Sequence, residues 1–162
     1  MVFAPSYEII DFDFWFESSY WRNPPIIDIF VDDNKIDTVI VDQEIHYHFS
    51  RRLDFGNHSV KIKRYGKTAD ETRVNDCGEY DTQTLTIRQV NIDNINLRNI
   101  LWDRAKFFPV YPEPWATQQI LLGHLLETQV LGEMTLGHNG TWVFDFSSPF
   151  YQFIVDCVRT PR

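Results

Sequence analysis

The chain has 162 residues, a formal net charge of −8 and an aromatic content of 15%. Such an acidic chain lacks the basic footprint that nucleic-acid phosphates require, and no stretch approaches the roughly 20 apolar residues that cross a bilayer. We therefore predict one well-packed domain that binds neither nucleic acid nor membrane. The first residues show no charged leader followed by an apolar run, so no signal peptide is predicted.

The first predicted strand begins near residue 10 with strict alternation of residue types. Residues 10, 12, 14 and 16 are apolar and their neighbours are largely polar, which is the period of a half-buried strand. Prolines 24 and 25 then interrupt the pattern. Ile27, Ile29 and Val31 line one face of a second strand, which is followed by a predicted turn at residues 32–35 and a third strand around residues 38–41.

A β-hairpin is predicted between residues 44 and 63. Apolar residues at 45, 47 and 49 precede a turn at 54–57, and apolar residues at 60 and 62 follow it. Residues 66–82 form a polar, acidic loop. The next strand starts at Leu85, and its apolar parity shifts between Ile87 and Val90, as a β-bulge near Arg88 and Gln89 would produce.

The last third, residues 102–162, predicts an aromatic loop, a hairpin and a terminal helix. Residues 102–115 indicate an irregular packed loop, and residues 116–127 carry a helix-like apolar cluster. A turn is predicted at 137–140, because Asn-Gly adopts positive φ readily. Ser148-Pro149 begins a short C-terminal helix. Residues 1–162 together predict a single, mainly β domain, an antiparallel β-sandwich of jelly-roll-like form.

Four aromatic residues are candidates for contact with a protein partner or a sugar ring. Trp15 and Phe30 project from the mainly polar faces of their strands, where they are either exposed for a partner or covered by a loop or by the C-terminal helix. Tyr111 and Trp115 lie in the aromatic loop, and their alternative role is core packing.

The acidic loop is a candidate calcium site, because calcium takes several oxygen ligands from loops of this kind. Its spacing differs from that of an EF-hand, and an exposed metal-free loop is the alternative. His46 and His48 face the same way on a strand, but no third metal ligand accompanies them. No nucleophile motif or phosphate loop is present, so we predict no catalytic residues, no enzyme activity and no cofactor other than calcium.

A distinctive order of motifs runs from residue 27 to about residue 95. Tyr47-His48-Phe49 is followed by Gly56-Asn57-His58-Ser59-Val60-Lys61-Ile62, by Asn75-Asp76 and by Asp81-Thr82-Gln83-Thr84-Leu85. This order resembles the calcium-dependent xylan-binding carbohydrate-binding modules. The resemblance implies that residues 27–95 form the core of a β-sandwich that holds sugar hydroxyls through calcium, with Asp76 and Asp81 as the metal ligands.

Residues 136–142 and 146–151 carry a second resemblance, to the endings of structural proteins of tailed, cyanophage-like bacteriophages. It implies a structural or adhesion protein of the virion, in the capsid, neck, tail or fibre. Such a protein is assembled in the bacterial cytoplasm in several copies, and its partners are other virion proteins and a host surface glycan. The alternative is a calcium-dependent polysaccharide-binding module of a secreted glycan-active enzyme.

Overall fold

The computed structural model describes residues 5–74, 76–78 and 80–159. The chain is mainly β and folds into two antiparallel sheets that form a sandwich, as predicted. In chain order, the strands are β1 (Tyr7–Ser19), β2 (Ile26–Val31), β3 (Asn34–Ile40), β4 (Ile45–Asp54), β5 (Gly56–Tyr65), β6 (Arg73–Val74), β7 (Tyr80–Asp81), β8 (Thr84–Ile92), β9 (Ile95–Asn96), β10 (Lys106–Val110), β11 (Val130–Leu131), β12 (Thr135–Leu136) and β13 (Asn139–Ser148). The helices are α1 (Arg98–Arg104), α2 (Trp115–Leu121) and α3 (Phe150–Arg159), and residues Ala69–Glu71 form a 3₁₀ turn.

One sheet, sheet A, has the strand order β12-β8-β1-β4, with β9 paired to β8. The other, sheet B, has the order β11-β10-β13-β5-β2-β3, and β6 and β7 form a separate two-stranded ribbon. No helix among the described residues is both long and apolar enough to cross a membrane.

The core lies between the two sheets and is rich in aromatic rings. Alternate side chains of a strand point to the same face of its sheet, and the apolar side chains of β1 on the inner face are fully buried. They are Ile10, Phe12, Phe14 and Phe16. Phe14 of sheet A meets Trp142 of sheet B edge to face, with ring centroids 6.1 Å apart. The contact joins the two sheets with the offset geometry that aromatic rings prefer.

Two local predictions are confirmed in detail. Asp32 and Asp33, at φ 51° and 67°, form the turn between β2 and β3. In the β1–β8 pair, Trp15 lies opposite Gln89 while the next residue, Phe16, lies opposite Ile87. The skipped residue between them is Arg88, so the bulge lies where the parity shift predicted it.

Both predicted hairpins are wrong. The 54–57 segment does turn the chain, but β4 pairs with β1 in sheet A whereas β5 pairs with β13 and β2 in sheet B. Likewise, the bend at 137–138 joins β12 of sheet A to β13 of sheet B. The chain turns at both places, although Asn139 and Gly140 belong to β13, and each turn carries the chain from one sheet to the other instead of closing a hairpin.

The predicted aromatic loop, residues 102–115, contains the end of α1 and the whole of β10. β10 pairs with β13 through all five of its residues, because Phe107 is buried in the core and draws the segment into sheet B. Pro109 is tolerated because β11, on the other side, pairs only with Lys106 and Phe107. The helix predicted within residues 116–127 forms as α2, but it ends at Leu121 and is therefore shorter than the apolar cluster that predicted it. The C-terminal helix α3 forms as predicted, with Phe150 fully buried.

Candidate functional site

A groove of about 460 Å³ opens at the end of the sandwich where β5 and β10 end and β13 begins. We call it the Trp115 groove. Its volume lies within the range of about 300–1,000 Å³ that is typical of ligand pockets. Four segments of the chain supply its walls, with the residues Lys67, Thr68, Ala69, Thr72, Thr82, Val110, Tyr111, Pro112, Trp115, His138 and Asn139.

The position of the groove depends on the close approach of β10 to β13. Pro109 lies opposite Gly140 and Val110 opposite Asn139, so the end of β10 is held beside the start of β13. A Cβ atom on Gly140 would collide with the Phe108 carbonyl and would lie 2.9 Å from the Cα of Pro109. Only glycine permits this approach, which sets Tyr111 beside His138.

Three aromatic rings form one wall of the groove. The ring centroids of Tyr111 and His138 are 5.0 Å apart, and Trp115 lies 5.9 Å from each of the other two. The Tyr111 hydroxyl donates to the Glu127 carbonyl at 2.6 Å, which fixes the ring. Trp115, at the start of α2, keeps 39% of its surface exposed. This wall offers a ring face to a ligand.

Polar groups form the rest of the lining, which we call the polar wall, and hydrogen bonds hold them in place. The Asn139 side chain donates to the Lys67 carbonyl at 2.9 Å and accepts from the Lys67 amide at 3.0 Å. The Lys67 ammonium donates to the Gly137 carbonyl at 2.5 Å. The Thr72 and Thr82 hydroxyls share a hydrogen bond of 2.7 Å. Ammonium, amide and hydroxyl groups therefore line the same groove as the aromatic rings.

A buried cation lies beneath the polar wall. Arg64 is 0% exposed, and its guanidinium donates to the carbonyl and side-chain oxygens of Gln83 at 2.7 and 3.0 Å and to Asn139 at 3.4 Å. Burial lowers the pKa of Arg64 to about 10. Burial and then the charges of Lys67 and Arg64 lower the pKa of His138, so its ring is neutral at pH 7.

The sequence analysis predicted part of this groove and missed the rest. Tyr111 and Trp115 were among the predicted contact residues, and the structure brings them together. Arg64, Lys67 and His138 were not predicted to belong to a site. The burial of Arg64 could have been predicted from the sequence. It lies two residues after Ile62 and four after Val60, so its side chain points to the same inner face of the strand.

The other two predicted contact residues lie elsewhere. Trp15 is half-buried on the outer face of sheet A, where it stacks on His46 with ring centroids 4.3 Å apart. Both His46 and His48 contact one carboxylate oxygen of Asp13, at 2.7 and 3.0 Å. Phe30 is half-buried on the outer face of β2 in sheet B. The structure therefore does not join Trp15 or Phe30 to the groove.

The acidic loop distributes its described carboxylates among separate partners. Asp70 pairs with Arg22 at 3.3 Å and Asp81 with Arg73 at 2.9 Å, while the buried Glu71 accepts two hydrogen bonds from Asn23. Asp76 is exposed, and Asn75 and Glu79 lie outside the described residues. Within the described parts of the chain, no three Asp, Glu, His or Cys residues are grouped to hold a metal. Calcium takes six to eight oxygen ligands, so the described carboxylates of the loop do not by themselves make a calcium site.

Comparison with known proteins identifies the fold but not the family. No protein-family model matches the chain, and no curated protein matches it. A selenomethionine form of vCBM60 aligns with a TM-score of 0.50 and 9% identity, over 83% of this chain and 89% of its own. That structure bears on a circular permutation that links two families of calcium-dependent carbohydrate-binding modules. The chain shares its fold with vCBM60. A complex of vCBM60 with galactobiose aligns with a TM-score of 0.48 and 7% identity, over 83% of this chain and 96% of its own.

Proposed function

We propose that this protein is a non-catalytic glycan-binding domain and that the Trp115 groove is its binding site. The observation that carries the proposal is the pairing of an aromatic wall with a polar wall in one groove. The apolar C–H faces of a sugar ring pack on aromatic rings, while its hydroxyls need donors and acceptors at the ring's edge. Trp115 and Tyr111 supply the first, and Lys67, Asn139 and the threonines supply the second. The fold shared with vCBM60 supports this proposal.

Substitution of the groove's tryptophan tests the proposal. Glycans would be selected on an array with the wild-type chain, and affinities would then be measured by calorimetry. We expect Trp115→Ala to weaken binding about tenfold or more, because stacking on an aromatic side chain contributes about 1–3 kcal/mol.

Trp102→Ala is the matched control, since Trp102 is 64% exposed on α1 and does not line the groove. Equal loss of affinity in both variants, or no loss in either, would contradict the assignment of the site.

The same affinity measurements, repeated with a chelator, test whether glycan binding needs calcium. We expect affinity to stay within about twofold, because Asp81, one of the two predicted ligands, is already paired with Arg73. A chelator-sensitive affinity would favour the predicted calcium site at Asp76 and Asp81.

A second candidate function is assembly into a bacteriophage virion, which the resemblance of the last third predicts. One structural observation is compatible with contact with a partner protein: α2 and the segment after it expose large apolar side chains, with Leu121 at 81% and Leu125 at 92%. If this role is correct, Leu121→Gln with Leu125→Gln will reduce incorporation of the protein into particles. Trp15→Ser with Phe30→Ser tests the contact residues predicted from the sequence in the same assay. Unchanged incorporation in both double variants would contradict an assembly role for these surfaces.

A further inference from the structure

The charge of the Trp115 groove differs from the charge of the whole chain. The protein carries 23 acidic and 15 basic side chains, yet no Asp or Glu occurs among the described residues that line the groove. Lys67 lines it, and Arg64 lies beneath it, where its guanidinium donates to the lining residue Asn139. An acidic protein thus has a locally cationic groove.

The two cations at the groove are not neutralised by any carboxylate that the structure describes. Lys35, Lys61, Arg73 and Arg88 each lie within ion-pair distance of a carboxylate. In the described parts of the chain, neither Lys67 nor Arg64 has such a partner, and their side chains donate to neutral oxygens there. Burial alone lowers the pKa of Arg64, and burial together with Arg64 lowers that of Lys67.

An unpaired buried cation is costly, and an anion held nearby would offset part of that cost. Arg64 is fully buried, and its Nε has no hydrogen-bond partner among the described residues. Coulomb interactions in such a partly buried place are less screened than those at the surface. Lys67 is the cation within reach of a ligand, because it lines the groove and, among the described residues, only the Gly137 carbonyl accepts a hydrogen bond from its ammonium group, which has three donors.

We propose that the Trp115 groove binds an anionic saccharide, with the sugar ring against Trp115 and its acidic group at Lys67. This inference rests on the proposed glycan-binding function and specifies the class of glycan. The acidic group is a carboxylate, as in a hexuronate, or a sulfate ester; both are anionic groups that an ammonium recognises.

Paired ligands test the proposal. Calorimetry would compare a hexuronate oligosaccharide with its carboxyl-reduced form, and a sulfated oligosaccharide with its desulfated form. We expect the anionic member of at least one pair to bind about tenfold more tightly, with an advantage that shrinks as salt is added. The pair that shows the preference identifies the acidic group.

Lys67→Gln should remove most of that preference and leave the affinity for the neutral member nearly unchanged. Lys67→Arg should retain it, because the positive charge remains. Lys63→Gln is the matched control, since it makes the same change in net charge at an exposed position of β5 that does not line the groove. Circular dichroism would confirm that each variant is folded.

Three results contradict the proposal in different ways. Equal binding of both members of both pairs would overturn the anionic preference and leave the glycan-binding function standing. A preference that is lost equally in Lys67→Gln and Lys63→Gln would reflect overall charge and would overturn the role of Lys67. Binding of no member of either pair, together with an array that shows no glycan, would overturn both the inference and the function on which it rests.

Discussion

His58 is held between two oxygens at the end of the sandwich where β5 begins. Its Nδ1 contacts the Asp32 carboxylate and its Nε2 contacts the Asp54 carbonyl at 2.5 Å, while the other Asp32 oxygen accepts from the Ser59 amide at 2.9 Å. Partial burial acts to lower the pKa of His58, but the Asp54 carbonyl and the Asp32 carboxylate outweigh it and raise the pKa above its ordinary 6.5.

This raised pKa makes the stabilising contribution of His58 depend on pH. A folded-state pKa above the unfolded value stabilises the fold fully below about pH 6.5 and progressively less as the pH rises through the folded pKa. We therefore expect His58→Gln to lower the free energy of unfolding by about 1 kcal/mol more at about pH 5.5 than at about pH 8.5. Urea denaturation at both values measures the difference.

His124→Gln provides the control, because His124 is exposed in the segment after α2. Its effect on stability should be small at both pH values. A His58→Gln effect that stays constant or grows with pH would contradict the assigned charge pairing.

At the scale of elements, similar apolar patterns predicted α2 and α3, but the two helices differ in how far their apolar side chains are buried. In α3, Phe150 is fully buried against the core, where its ring meets Phe146 at a centroid distance of 6.0 Å. In α2 only Ala116 is buried, and Leu121 is 81% exposed. Periodicity identifies an apolar helical cluster, but it does not show whether another element covers that cluster.

The difference in burial gives a difference in stability. Phe150→Ala should lower the free energy of unfolding by about 3–5 kcal/mol, because it leaves a cavity in the core. Leu121→Ala should change it by less than about 0.5 kcal/mol, because solvent already surrounds that side chain. Chemical denaturation of both variants checks the prediction, and a large loss on Leu121→Ala would mean that the leucine is covered in solution.

At the scale of the whole molecule, the sequence was sufficient to predict most of the longer strands and their inward faces, but it missed β10 and did not predict which strands pair. Alternation correctly placed Phe12 and Phe14 in the core, and the parity shift located the bulge at Arg88. Both hairpin predictions were wrong because the two-residue periodicity of apolar side chains describes one strand at a time. It carries no information on whether a turn returns the chain to the same sheet or carries it to the opposite one.

The Trp115 groove shows the same limit. Its residues Tyr111 and Trp115 could be selected from the sequence because residues 102–115 are rich in aromatic side chains and proline. Their polar partners come from positions near 67, 72, 82 and 138, and only the folded sandwich brings these together. The groove is therefore a property of the pairing between β10 and β13, and it should be lost if that pairing is disturbed.

Gly140→Ala tests this dependence of the groove on the whole fold. The added Cβ would meet the Phe108 carbonyl, and φ is +155° at this position, so β10 must move away from β13. We expect a loss of about 1–3 kcal/mol in the free energy of unfolding and loss of glycan binding at the groove. Gly137→Ala is the control within the same bend, since nothing lies within 4 Å of the place that an added Cβ would take and no left-handed φ is required there. That variant should keep both its stability and its ligand, whereas a Gly140→Ala protein that still binds normally would show that the groove forms without the close approach of β10 to β13.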